Sequence, residues 1–96
     1  MLERDFQRKL IQKLHNLFPD CLVLKNDPNY IQGIPDLIVL CRNKWAALEC
    51  KKSGFSHKQS NQEIYVNKMN GMSFARFIFP ENEEEVLHEL SRLFES

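Results

Sequence analysis

Apolar residues recur at helical spacing from the start of the chain. Leu2, Phe6, Leu10, Leu14 and Leu17 share one stripe, which Ile11 and Phe18 widen. The pattern predicts an amphipathic helix over residues 2–18, closed by Pro19-Asp20. Cys21 to Leu24 is a short apolar run and reads as a strand. Asn26-Asp27-Pro28-Asn29 breaks it, and Gly33-Ile34-Pro35 forms a second turn. Leu37 to Cys41 is continuous and β-prone, the pattern of a strand covered on both faces. Arg42-Asn43-Lys44 reads as a tight polar connection to a return strand over Trp45–Lys51. After a loop at Lys52–Phe55, Ser56 suits an N-cap. Ile64, Tyr65, Val66 and Met69 mark the buried side of a second helix ending near Asn70-Gly71. Ser73 to Phe79 reads as another strand. Glu83-Glu84-Glu85 then opens a last helix, where carboxylates complement the helix dipole, with Val86, Leu87, Leu90, Leu93 and Phe94 as its stripe.

The order is α-β-β-β-α-β-α, an α/β fold with a mixed sheet flanked by helices. No repeat, linker or low-complexity tract divides it, so residues 1–96 are expected to form a single domain. A hydrophobic fraction of 43% beside 27% charged residues is that of a folded chain, not a disordered one. Cys21, Cys41 and Cys50 are an odd set without CxxC spacing, each in apolar surroundings. They are expected to be reduced, buried thiols in a cytoplasmic protein, with no zinc site. The charged N-terminus lacks an apolar signal segment, and no run is long enough to cross a membrane.

Thirteen cations balance thirteen carboxylates, which looks unpromising for an enzyme acting on nucleic acid. The distribution changes that picture. Residues 36–76 carry seven Lys/Arg against three acids, a net +4, whereas residues 80–96 carry six Glu against one Arg, a net −5. Segregation of this kind can leave a basic patch facing phosphates, although uneven charge is also common in neutral proteins.

The candidate chemistry lies in Ile34-Pro35-Asp36-Leu37 and Leu48-Glu49-Cys50-Lys51. Alternate strand residues share a face, so Glu49 and Lys51 project together while Leu48 and Cys50 point the other way. A hairpin of strands 36–41 and 45–51 brings Asp36 towards both. Hard oxygens on Asp36 and Glu49 suit Mg²⁺ or Mn²⁺, and the Cys50 backbone carbonyl can add a ligand independent of its thiol. Lys51 can position an attacking water or stabilise charge on phosphorus, so the set suits phosphodiester hydrolysis. The plainer alternative is a surface Glu49–Lys51 ion pair on an edge strand, with Asp36 as a turn former after proline.

Pro35-Asp36 followed thirteen positions later by Glu49-Cys50-Lys51 resembles the PD-(D/E)xK nuclease motif. The wider pattern is similar to the VRR-NUC branch, a family of small phage-borne and larger repair nucleases. It carries Glu3 in the first helix, Gly33-x-Pro35-Asp36 before an apolar strand, the Glu-x-Lys strand and a glutamine-bearing helix behind it. The likeness spans about residues 3 to 79. It implies a restriction-endonuclease-like core, divalent-metal-dependent DNA cleavage, and for compact members homodimers acting on branched DNA such as Holliday junctions. It also implies the interior of a bacterium or phage-infected host cell.

The resemblance makes Glu3 a metal-side or water-mediated carboxylate; otherwise Glu3 is a solvated first-turn residue helping the dipole. Gln59 and Gln62 both lie on the second helix and share a face. Tyr65, Val66 and Met69 follow Gln62 at the spacing expected for the family's glutamine, whereas Gln59 matches by its distance from Ser56. Lys52, His57, Lys58 and Gln59 flank the site as candidates for backbone phosphate contacts, which position DNA without reading its sequence. His57 lacks a partner histidine at metal spacing. Trp45 reads as core or interface. A different class of protein, a DNA-binding or interaction module retaining the nuclease fold, would present its acidic last helix to a partner. It would have no need of clustered carboxylates, which repel phosphate unless a cation bridges them.

Overall fold

The computed structural model describes all residues, 1–96. Its elements are α1 (Glu3–Leu17), β1 (Leu22–Lys25), β2 (Leu37–Cys41), β3 (Lys44–Cys50), α2 (Ser60–Met72), β4 (Ala75–Ile78) and α3 (Glu83–Glu95). The four strands form one sheet in the order β1-β2-β3-β4. β2 pairs antiparallel with both β1 and β3, and β4 joins β3 in parallel. A parallel neighbour requires a crossover connection, and α2 supplies it. The expected α/β architecture and its element order are those observed. No helix is long and apolar enough to cross a membrane.

The main core lies between one sheet face and the stripes of α1 and α3. Phe6, Leu10 and Leu14 meet Val86, Leu90 and Phe94 over Leu37, Val39, Leu48, Cys50 and Ile78. Lys13 Nζ on α1 bonds Glu83 Oε1 on α3 at 2.6 Å, joining the two helices at their rim. On the opposite face α2 sets Val66 against Ala47 and Ala75, where small side chains allow close approach. β3 is therefore the strand covered on both faces, with residues 46–50 all buried. β2, expected to be covered in this way, alternates instead: Leu37, Val39 and Cys41 are buried while Leu40 is exposed. The cause is that α2 covers β3 and β4 and leaves Leu22, Leu24 and Leu40 exposed on the β1–β2 half.

The expectation of three reduced thiols is overturned. Cys21 and Cys41 form a disulfide, and Cys50 alone is free and buried. The register explains the pairing. Leu22 pairs with Leu40, so Cys21 lies opposite Cys41 across antiparallel strands, with Cα atoms 4.5 Å apart. That separation falls in the range disulfides require.

α2 also starts and ends elsewhere than expected. Ser56 does not cap it. Ser53 N–H donates to Ser56 Oγ at 3.2 Å, closing a turn of its own, and Gln59 is the N-cap. At the other end Gly71 is not in the left-handed conformation that stops a helix; the helix runs to Met72, and Ser73 N–H bonds Met69 carbonyl. Ile64 faces solvent instead of the sheet. The β2–β3 connection is the tight one expected: Cys41 pairs with Lys44 around Arg42-Asn43, with Arg42 at φ +59°. The Arg42 guanidinium donates to Phe94 carbonyl in the last turn of α3, where a cation also complements the helix dipole.

Candidate active site

Glu49 and Lys51 are the only charged side chains among the buried residues, at 3% and 7% exposure. Strand alternation places them on the α2 face, because Leu48 and Cys50 belong to the main core beneath. Burying a charge is costly unless it is paired, and here each polar atom has a partner.

The connections form one network. The β2–β3 hairpin brings Asp36, just before β2, beside the end of β3. Asp36 N–H donates to Glu49 Oε1 at 3.2 Å, and Cys50 N–H donates to Asp36 Oδ2 at 2.9 Å. From α2, Gln62 Nε2 donates to Glu49 Oε2 at 3.0 Å while Lys51 Nζ donates to Gln62 Oε1 at 2.7 Å. Gln62 Oε1 also accepts from Gln59 N–H at 3.2 Å, so one amide fastens the start of α2 and joins the carboxylate to the ammonium. The two helix glutamines are thereby separated: Gln62 is in the site, and Gln59 is an exposed N-cap.

The turn before Asp36 is pinned as firmly. Asn26 N–H donates to Asp36 carbonyl at 2.8 Å, and Asn26 Nδ2 donates to Pro35 carbonyl at 2.7 Å. Gly33 sits at φ +87°, and a Cβ there would overlap Asn61 on α2. Only glycine meets both demands.

The electrostatics follow from burial. Desolvation lifts the Glu49 pKa to about 8; the neighbouring Asp36 charge adds to this and Lys51 opposes it. Burial also raises Asp36, against the pull of the Cys50 N–H and of Lys51. Burial and then the Asp36 and Glu49 charges push the Cys50 thiol up, which disfavours its thiolate. Glu3 stands at the solvent-facing rim, within the fields of Lys51, Asp36 and Lys52. Partial desolvation is the largest cause of its raised pKa.

These residues fit a hard divalent cation. Two adjacent carboxyls whose pKa values are raised chiefly by burial are drawn towards the ionised form when a cation neutralises them. No three His, Cys, Asp or Glu side chains gather closely enough to hold an ion by themselves. A cation there would draw on Asp36, Glu49 and the Cys50 carbonyl, completed by water, with Glu3 reached through a water.

The flanking residues divide. Lys52 and His57 are exposed. Lys58 lies over the Phe77 and Phe79 rings, 5.3 and 5.9 Å from their centroids. Trp45 packs beside the Ala47–Val66–Ala75 cluster, as core. Sequence reasoning missed the structural parts played by Asn26, which staples the approach to Asp36, and Asn61, which receives Gly33. The Gly-x-Pro-Asp signal was present, but nothing in it named these partners. No family model, curated protein or solved structure matches the chain.

Proposed function

We propose that this protein is a divalent-metal-dependent DNA endonuclease of the VRR-NUC type, built on a restriction-endonuclease-like core and acting as a homodimer on branched DNA. The observation that supports the reading is the hydrogen-bonded set Asp36, Glu49, Lys51 and Gln62, which holds the two most buried charges of the chain at the end of one strand.

Asp36, Glu49 and the Cys50 carbonyl would hold Mg²⁺ or Mn²⁺. Once bound, the ion supplies Lewis-acid polarisation of a phosphoryl oxygen and lowers the pKa of a water. The chain's own residues do the rest. Lys51, with an ammonium that stays compact and multiply donating, stabilises negative charge developing on the scissile phosphate. Gln62 fixes the direction of that ammonium and the rotamer of Glu49 together. Glu3 accepts a proton from water at the rim. Lys52 and His57 meet the neighbouring phosphates of the backbone. One chain carries one such site, and paired cuts in two strands need two; a two-fold dimer is the commonest arrangement that supplies them. The exposed Leu22, Leu24 and Leu40 offer a surface for that pairing.

The test is cleavage of labelled supercoiled, linear, flap and four-way-junction DNA with Mg²⁺ or Mn²⁺, beside EDTA and Lys51→Ala controls. Cutting that disappears in both controls, and is fastest on the junction, is expected. DNA binding without cutting in either metal overturns the nuclease and leaves a binding module that retains the fold.

A further inference from the structure

We propose that Phe55 is a base-stacking platform, which holds an unstacked base of the DNA strand beside the site; the inference deepens the nuclease reading and rests on it for the identity of the ligand. Phe55 is 96% exposed, the most exposed large apolar side chain in the protein. Single exposed apolar residues are ordinary. This one stands on a turn that is held in place from several sides. Ser53 N–H donates to Ser56 Oγ and Phe55 N–H to Ser53 Oγ, each at 3.2 Å, and Ser56 N–H returns to Ser53 carbonyl at 3.2 Å. Gly54 N–H donates to Glu81 Oε1 at 3.1 Å, and its Cα lies so near Phe79 that a Cβ would stand 3.0 Å from the ring. The backbone is thus fixed while the ring is offered to solvent, so little ordering remains to be done on binding.

The surroundings define the occupant. Phe55 lies four residues beyond Lys51, between Lys52 and His57, and Lys58 follows. Lys52, three residues before the ring, is exposed as the ring is, and an exposed lysine next to an exposed aromatic in the chain matches a nucleic-acid strand, whose phosphates and bases alternate. A base can reach Phe55 only when it is out of the helical stack, as at a junction, flap or single strand. The residue therefore favours branched over continuous duplex DNA.

The experiment is an abasic scan, with each nucleotide near a flap or junction point replaced in turn by an abasic one. Binding is read by fluorescence anisotropy with Ca²⁺, and cleavage separately with Mn²⁺. For the wild type, one position is expected to weaken binding about 5- to 150-fold, as for a base stacked on an aromatic ring. Phe55→Ala should lose the same factor on intact branched DNA, be insensitive to the abasic position, and bind duplex as before. Phe55→Trp should restore binding, and Phe55→Leu should not. Thermal denaturation of each variant should match the wild type, because the ring touches no core. A flat scan in a protein that cleaves overturns the platform and leaves the nuclease standing. A position-sensitive scan in a protein that fails to cut DNA with either Mg²⁺ or Mn²⁺ supports the platform and overturns the nuclease. Absence of DNA binding overturns the platform, as does a Phe55→Ala variant that dissociates a dimer while keeping the abasic sensitivity.

Discussion

Without a divalent cation, Glu49 makes the folded protein less stable as pH rises. Burial lifts its carboxyl to about 8 in the folded chain, against 4.5 when it is exposed to water. Between those values the folded state holds a proton that the unfolded state has released, so stability falls with increasing pH. The favourable contribution is complete below about pH 4.5 and lost above about pH 8. A lone carboxyl raised this far would cost about 5 kcal/mol on ionising, at about 1.4 kcal/mol per pH unit. Asp36 sits beside it and is raised too, so the two carboxyls titrate as a coupled pair and the effect is divided between them. About 2–3 kcal/mol is therefore the part assigned to Glu49, or roughly 10–20 °C in Tm for a domain of this size.

The assay is thermal denaturation followed by circular dichroism in EDTA from pH 5 to 8.5, for wild type and Glu49→Gln, both oxidised. The glutamine keeps the volume and an acceptor for Asp36 N–H but removes the titration. Wild-type Tm is expected to fall across the range, and that of Glu49→Gln to fall much less. Any constant offset from rearrangement of the Gln62 amide does not affect the slope. At pH 8, Mn²⁺ should raise the wild-type Tm strongly, because a ligand bound only to the folded state stabilises it, and should raise the variant's little. A wild-type Tm independent of pH, or an equal slope in Glu49→Gln, would refute the argument that burial and Asp36 control this carboxyl.

Gln62→Ala removes the partner of both Lys51 and Glu49; cleavage is expected to drop about 10- to 100-fold, as for other groups that orient ligating side chains, whereas Gln59→Ala should cost little. Gly33→Ala forces a Cβ onto Asn61 from a positive φ, so it should displace the start of α2, with cleavage reduced and Tm lowered by several degrees, both read on the purified variant. Reduction of the Cys21–Cys41 bond opens a constraint across 20 residues, worth about 3 kcal/mol by loop entropy. Dithiothreitol or Cys41→Ser should therefore lower Tm by about 12–24 °C, and an unchanged Tm would refute the bond's contribution.

The sequence carried the elements whose neighbours are close in the chain or whose side chains repeat. α1 and α3 were legible from their stripes, and Asp36, Glu49 and Lys51 from strand alternation and the short hairpin. What was not legible depends on partners remote in sequence. The disulfide follows from the β1–β2 register, which no local pattern around Cys21 or Cys41 discloses. Ser56, expected as the N-cap, is engaged instead by Ser53 in a turn that precedes the helix. The exposed half of the sheet follows from where a single crossover helix falls, so Leu40 looked buried in a run that is only half covered.

The weak apolar pattern of α2 has the same root and explains why the site and this helix depend on each other. α2 buries only Val66 fully, far less than α1 or α3. Its first turn is held instead by the polar contacts of Gln62 to Lys51 and Glu49, and by the close approach of Gly33 to Asn61. Buried ionisable groups thus supply part of the attachment that apolar residues supply elsewhere. In the metal-free protein at high pH, mutual repulsion of Asp36 and Glu49 acts against that attachment, and a cation between them removes the repulsion. Ordering of the start of α2 is therefore thermodynamically linked to cation binding, each favouring the other by the same free energy. The backbone amides of Gln62 and Glu63 should consequently gain hydrogen-exchange protection when Mn²⁺ or Mg²⁺ is added, while those of α1 and α3 change little. Equal protection of all three helices would place the linkage in global stability and not in α2.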